Sequence, residues 1–281
     1  MTINQKLSAT VLAVAAAMTP AHAAVISYSA NGANPAAIQA TVTQFRTDIG
    51  GANNGVGGTF ATGRREINWD AVPDAFSSPN NLPGNFFNAN SARGVVMTPL
   101  AGGTGFVLSA DSSNPTTTPV LFGNLDATYA TEFQTFSPER LFTVLGSNKF
   151  QIDFFLPGTA TQAVVTAFGV IFSDIDLSGN GTNLEAFDLQ GNSIAVLGAG
   201  SNPSGLSFAG LRVDGATARI ARIVITTGNT NLGGLDSGAF DVVVMDDFIY
   251  GEPQAAVPEP STLLLSGLGL LAAARIKRKR Q

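Results

Sequence analysis

The apolar residues of this chain come in short runs, and this limits its fold more than any other feature. Val-, Ile- and Phe-rich stretches are bounded by Gly, Asn, Pro and Ser, the punctuation of strands and turns. The pattern predicts strands over residues 65–70, 94–98, 105–109, 120–122, 150–156, 163–173, 184–188, 193–197, 206–213, 218–226 and 240–250. In the segment 218–226, Arg219, Ala221 and Ile223 alternate with Ile220, Arg222 and Val224, which predicts a partly wet face. Residues 241–245, apolar at successive positions after Asp241, predict a central strand.

One helix is expected ahead of the sheet. Asn34 is its N-cap, Pro35 its first residue, Gly50 and Gly51 its stop, and Ile38, Val42, Phe45 and Ile49 share one face. A shorter turn could open at Ser137-Pro138-Glu139, but Phe142 and Leu145 are too few to specify it. Residues 50–58 read as a flexible loop within one core. The expected fold class is mainly β: a single jelly-roll-like β-sandwich over residues 24–256 with one N-terminal helix.

The chain has no cysteine, and its only histidine, His22, lies in the leader. No Ser-His-Asp triad, Cys-His pair, His-based zinc or iron site, or haem can be built from residues 24–256. That body carries nine Lys and Arg against nineteen Asp and Glu, a net charge of about −10. Such a surface repels phosphate, which argues against nucleic acid and anionic membranes as partners. What remains is oxygen chemistry: carboxylates that hydrolyse glycosides, or that hold calcium with carbonyls.

Both ends read as addresses. Lys6, the apolar run 7–18, Pro20 and the small residues around Ala23 and Ala24 predict a signal peptide over residues 1–23, cut between Ala23 and Ala24 by signal peptidase. The tail 257–281 begins with Pro258, Glu259 and Pro260, whose prolines favour an extended conformation suited to a processing cleft. The apolar run 263–274 follows, and then five cations, Arg275, Lys277, Arg278, Lys279 and Arg280. As a helix the run would span about 18 Å against a bilayer core of about 30 Å. The terminal position and the snorkelling cations favour a single transmembrane helix with its basic end in the cytoplasm.

These three parts in this order resemble the PEP-CTERM sorting signal of exported bacterial proteins. The resemblance implies processing by an exosortase near Pro258-Glu259-Pro260 and delivery to the cell surface, with extracellular polysaccharide as the expected neighbour. Segments 63–70, 81–88 and 244–251 also resemble a passenger domain of other exported bacterial proteins, one that supplies no catalytic residues.

Three groups of acids are candidates for chemistry. Asp174, Asp176, Ser178, Asn180, Thr182 and Glu185 fit positions 1, 3, 5, 7, 9 and 12 of a calcium loop, with Gly179 at its turn. Strand-like flanks and Gly181 at position 8 fit a plain polar connection equally. Asp246 and Asp247 adjoin on a predicted strand, so one must face inward and needs a cation or several donors, the cation being calcium or an arginine such as Arg212, Arg219 or Arg222. Glu66, Asp70 and Asp74 would flank a sugar stacked on Trp69 in a carboxylate-only glycosidase. The simpler reading turns Ile67 and Trp69 inward and Glu66, Asn68 and Asp70 outward.

The expected function is a secreted, non-enzymatic structural or binding protein of the extracellular matrix, without a required cofactor. A calcium-dependent carbohydrate-binding module using Asp174 to Glu185 is the alternative, and the glycosidase is the third reading.

Overall fold

The computed structural model describes residues 24–179, 181–214 and 220–256. The expected signal peptide over residues 1–23, Pro258, Glu259, Pro260 and the apolar run 263–274 lie outside them. Among the described residues no helix is long and apolar enough to cross a membrane. The strands are β1 (Val25–Gly32), β2 (Arg64–Ile67), β3 (Val95–Pro99), β4 (Gly105–Leu108), β5 (Phe142–Leu145), β6 (Lys149–Phe154) and β7 (Ala163–Val164). They continue as β8 (Ala167–Ile175), β9 (Asn183–Phe187), β10 (Ser193–Gly198), β11 (Asn202–Val213), β12 (Arg222–Thr226), β13 (Val244–Gly251) and β14 (Gln254–Ala255). Helix α1 is Pro35–Ile49, and single turns α2 (Phe86–Ala89) and α3 (Tyr129–Glu132) follow.

The protein is mainly β and its named strands pair antiparallel. A seven-stranded sheet has the order β1-β11-β8-β13-β5-β4, with β2 also paired to β13. A five-stranded sheet has the order β10-β9-β12-β6-β3, and β14 and β7 form a small ribbon. One hydrophobic core takes Phe168, Val170, Phe172, Phe248 and Tyr250 from the first sheet and Phe150, Ile152, Phe154, Leu184, Ile223 and Ile225 from the second. Each such side chain contributes about 1.5–3 kcal/mol by leaving water.

Helix α1 covers the other face of the larger sheet. The Asn34 side chain accepts from the Ala37 N–H at 3.3 Å, and Gly50 ends the helix at φ 79° with its N–H on the Arg46 carbonyl. Ile38, Val42 and Phe45 are buried against Ala167, Ile171, Leu206, Phe208 and Ile249. Strand β8 is therefore covered on both sides, which explains its nine consecutive buried residues. Gly169 and Gly210 pair across β8 and β11, leaving a dent for the rings of Phe45 and Phe208. A third cluster, including Phe122, Tyr129, Phe133 and Val244, fills the space beneath α3.

Several expectations change. The sheet begins before the helix, because β1 pairs along the whole of its length with β11. Its small and polar residues, typical of an edge, hide it in the sequence. Residues 120–122 make only a bridge from Val120 to Ala110, since Leu121 and Phe122 turn at φ 51° and 61°. The run 163–173 divides into β7 and β8, and the run 240–250 becomes extended only at Val244. Phe142–Leu145 is the strand β5 rather than part of a helical turn.

The glycine dent gives a test. A Cβ on Gly169 would lie 2.7 Å from the Phe45 ring and 2.9 Å from that of Phe208. Gly169→Ala should lower the unfolding free energy by about 1–3 kcal/mol in a urea titration. A midpoint equal to the parent's would contradict this packing.

Candidate functional site

Three networks gather most of the buried and half-buried acids among the described residues. The first is centred on β13, whose register with β8 shifts between Met245 and Phe248. The shift draws both Asp246 and Asp247 inside, at 0% and 3% exposure, where simple alternation would bury one. Asp246 Oδ2 accepts the N–H groups of Phe136 at 2.5 Å and Ser137 at 3.1 Å. The Ser137 hydroxyl donates to Asp247 Oδ1 at 2.6 Å. The same hydroxyl lies 3.4 Å from Asp246 Oδ1, so Ser137 bridges the two carboxyls. Burial first and then the Asp247 charge push Asp246 well up; burial also raises Asp247, against the lowering effects of Ser137 and Arg46.

The arginine at this pair comes from α1, not from Arg212 or Arg222, which pair with Asp214 and Asp153, while Arg219 lies outside the described residues. Arg46 Nη2 lies 3.5 Å from Asp247 and 2.8 Å from Glu66. Arg64 adds a second contact to Glu66 at 2.6 Å.

The second network takes up the proposed sugar acids. Trp69 is 1% exposed, stacks on Phe142 at 4.3 Å and donates its indole N–H to the Asp246 carbonyl at 2.8 Å. It is a core residue with no free face for a sugar. Glu66 belongs to the arginines just described. Asp70 accepts the Arg140 backbone N–H at 3.2 Å, while Asp74 and Asp111 both hold the Arg140 guanidinium at 2.6 Å. Burial raises Asp70 to about 6. Arg65, turned inward beside Ile67 and Trp69, forms a sealed bidentate pair with Glu252 at 2.8 and 2.7 Å. Its remaining N–H groups bind the carbonyls of Gly55, Gly57 and Gly58, so the loop read as flexible is tied to a buried cation.

The third network contains Asp174, with Asp176 near enough for its charge to act there, but not Thr182 or Glu185 of the calcium spacing. Strand β8 ends in the larger sheet and β9 begins in the smaller, so the connection crosses between sheets and its acids part. Glu185 accepts from Ser193 Oγ at 2.7 Å, and Thr182 Oγ1 accepts from the Gly228 N–H at 2.8 Å. Asn180 lies outside the described residues. Asp174 instead meets Glu132 of α3 and Asp236 of a Gly-rich loop, with one carboxylate oxygen from each within 4.8 Å of the others. The Ser204 N–H donates to Asp174 Oδ1 at 2.6 Å, and Val242 donates to Asp236 Oδ1 at 2.9 Å. Asp236 Oδ2 is sealed and has no hydrogen-bond partner. No sequence motif marks Glu132 or Asp236, because they come from separate turns.

Burial, and then the repulsion of Asp176 and its neighbours, raise Asp174 to about 7 and Asp236 to about 6. Asp241 is raised by burial as well, although it accepts the N–H groups of Asp176 and Leu177. Raised carboxyl pKa values mean that the folded state holds protons more tightly than the unfolded state. Their stabilising contribution is present below the ordinary carboxylate range and is lost as pH rises through about 6 to 7. In chelator-treated protein the urea midpoint should therefore fall from about pH 5 to pH 8, and Asp174→Asn should flatten that fall. Superimposable profiles for variant and parent would remove Asp174 from this role.

Ala24, the expected first residue after signal cleavage, is described, and its carbonyl accepts from the Asp214 N–H at 2.7 Å. Comparison with known proteins bears on the tail. The PEP-CTERM protein-sorting motif matches residues 256–279. No curated protein and no solved structure matches the chain. The chain thus carries a PEP-CTERM sorting signal, and it is an exosortase-sorted, exported protein, anchored transiently in the membrane before reaching the surface or the extracellular space.

Proposed function

We propose that the protein is a non-enzymatic structural or binding component of the extracellular matrix, associated with exopolysaccharide. The sorting signal at residues 256–279 carries this reading, because it delivers the body to the compartment where that polymer lies. The body suits a durable surface role. Two antiparallel sheets face each other across one core, an arrangement read here as a jelly-roll-like β-sandwich over residues 24–256. The transmembrane helix 263–274 belongs to the same proposal, holding the chain until exosortase acts after signal peptidase. A glycosidase reading has less support, since Glu66 and Asp74 are engaged by arginines and Trp69 is sealed.

A second reading, calcium-dependent carbohydrate binding, is favoured by the convergence of Glu132, Asp174 and Asp236. Calcium takes oxygen ligands, and these acids have no arginine or lysine among the charges acting on Asp174 and Asp236. The ligand set differs from the one the loop spacing suggested, keeping only Asp174.

Fractionation of the host's surface material tests the main reading. The protein should co-sediment with extracellular polysaccharide and be released when that polymer is digested, without itself cleaving a panel of glycans. Sedimentation unchanged by digestion, or glycan turnover, would refute it. For the second reading, saturating calcium should raise unfolding stability by about 2–3 kcal/mol at a hundredfold excess over Kd, and Asp236→Asn should abolish the effect. A thermal midpoint indifferent to calcium ends that reading.

A further inference from the structure

Arg93 is the one arginine among the seven described that lacks an acidic partner. Arg46, Arg64, Arg65, Arg140, Arg212 and Arg222 each pair with a carboxylate. Arg93 donates to the Ser91 hydroxyl and lies 5.6 Å from the centroid of the Phe87 ring, while its Nε is sealed without a partner. In a body with an acidic excess of about ten charges, an unanswered and partly buried guanidinium is an exception. It stands in the wall of a cleft of about 450 Å³, and no Asp or Glu lines that cleft.

The remaining wall matches one kind of ligand. Phe76 and Phe86, with ring centroids 5.2 Å apart, supply an apolar side, and Phe76 is only partly buried. Asn68 and Asn90 are exposed at the rim, and their side-chain amides make no hydrogen bond among the described residues. An aromatic wall for the C–H face of a sugar ring, amides for its hydroxyls and a guanidinium for a carboxylate form a complementary set. We propose that this cleft binds a carboxylated sugar residue, a uronate, with Arg93 taking the carboxylate. The inference rests on the matrix reading for the polymeric source of the sugar and names the residue recognised.

Trp69, the only tryptophan of the chain, lies 1% exposed behind the surface of this cleft, so its emission reports on occupancy without touching the sugar. The surface-released protein is titrated with trigalacturonate, maltotriose and triglutamate. Trigalacturonate should give a saturable change, with the neutral trisaccharide and the acidic peptide each weaker by about tenfold or more. Arg93→Gln should weaken trigalacturonate by about tenfold and erase the preference over maltotriose. Asn90→Ala, at an exposed site, should weaken it by about threefold while keeping that preference.

Absence of saturable trigalacturonate binding overturns the proposal. So does equal binding of either control, or an Arg93→Gln variant with parental affinity. If Arg93→Gln does not fold, the loss in Asn90→Ala and the acidic-over-neutral preference of the parent decide the matter. Protein that still co-sediments with its own matrix while ignoring trigalacturonate would lose this inference and keep the matrix reading.

Discussion

Two carboxyl groups side by side inside a sheet are costly to hold charged, and much of the architecture answers to that. Asp246 and Asp247 sit where β13 breaks register with β8, and burial, with the charge of Asp247, pushes the Asp246 carboxyl well above the usual carboxylate range. The residual charge is met by Arg46 from α1 and by the N–H groups of Phe136 and Ser137, while Trp69 bonds the Asp246 carbonyl. At the same place β13 changes neighbours, pairing through Met245 with β5 and from Phe248 onward with β2. One interruption thereby fastens the helix, two short strands and a connecting segment to the central strand.

Two buried arginines of the body are placed as internal fixings. Arg65 ties Glu252 and three glycine carbonyls together, and Arg140 joins Asp74 to Asp111. Buried pairs of this kind are modest sources of net stability, but losing one partner strands a charge, so they specify which segments meet. Two places depart from the scheme. The acids around Asp174 have no cation, and Arg93 has no acid.

Most strands were legible because alternation and turn residues are local. Ile223 and Ile225 bury while Arg222 and Val224 remain partly exposed, as their period of two requires. Helix α1 was legible from its caps and from the spacing of Ile38, Val42 and Phe45. Strand β1 was not, because an edge strand of Ser, Tyr, Ala and Asn presents little apolar pattern. The inward turn of Ile67 and Trp69 could be read from alternation, but the partner of Asp247 could not, since Arg46 is brought to it by helix packing.

From its sequence alone the chain declared its route out of the cell and its mainly β character, because terminal signals, caps and alternation are written in neighbouring residues. The meeting of Glu132, Asp174 and Asp236, and the separation of Asp174 from Glu185, were decided only in three dimensions. The spacing suited a loop that closes on an ion, yet its two ends enter different sheets. Strand pairing, which depends on residues far along the chain, therefore chose which carboxylates stand together.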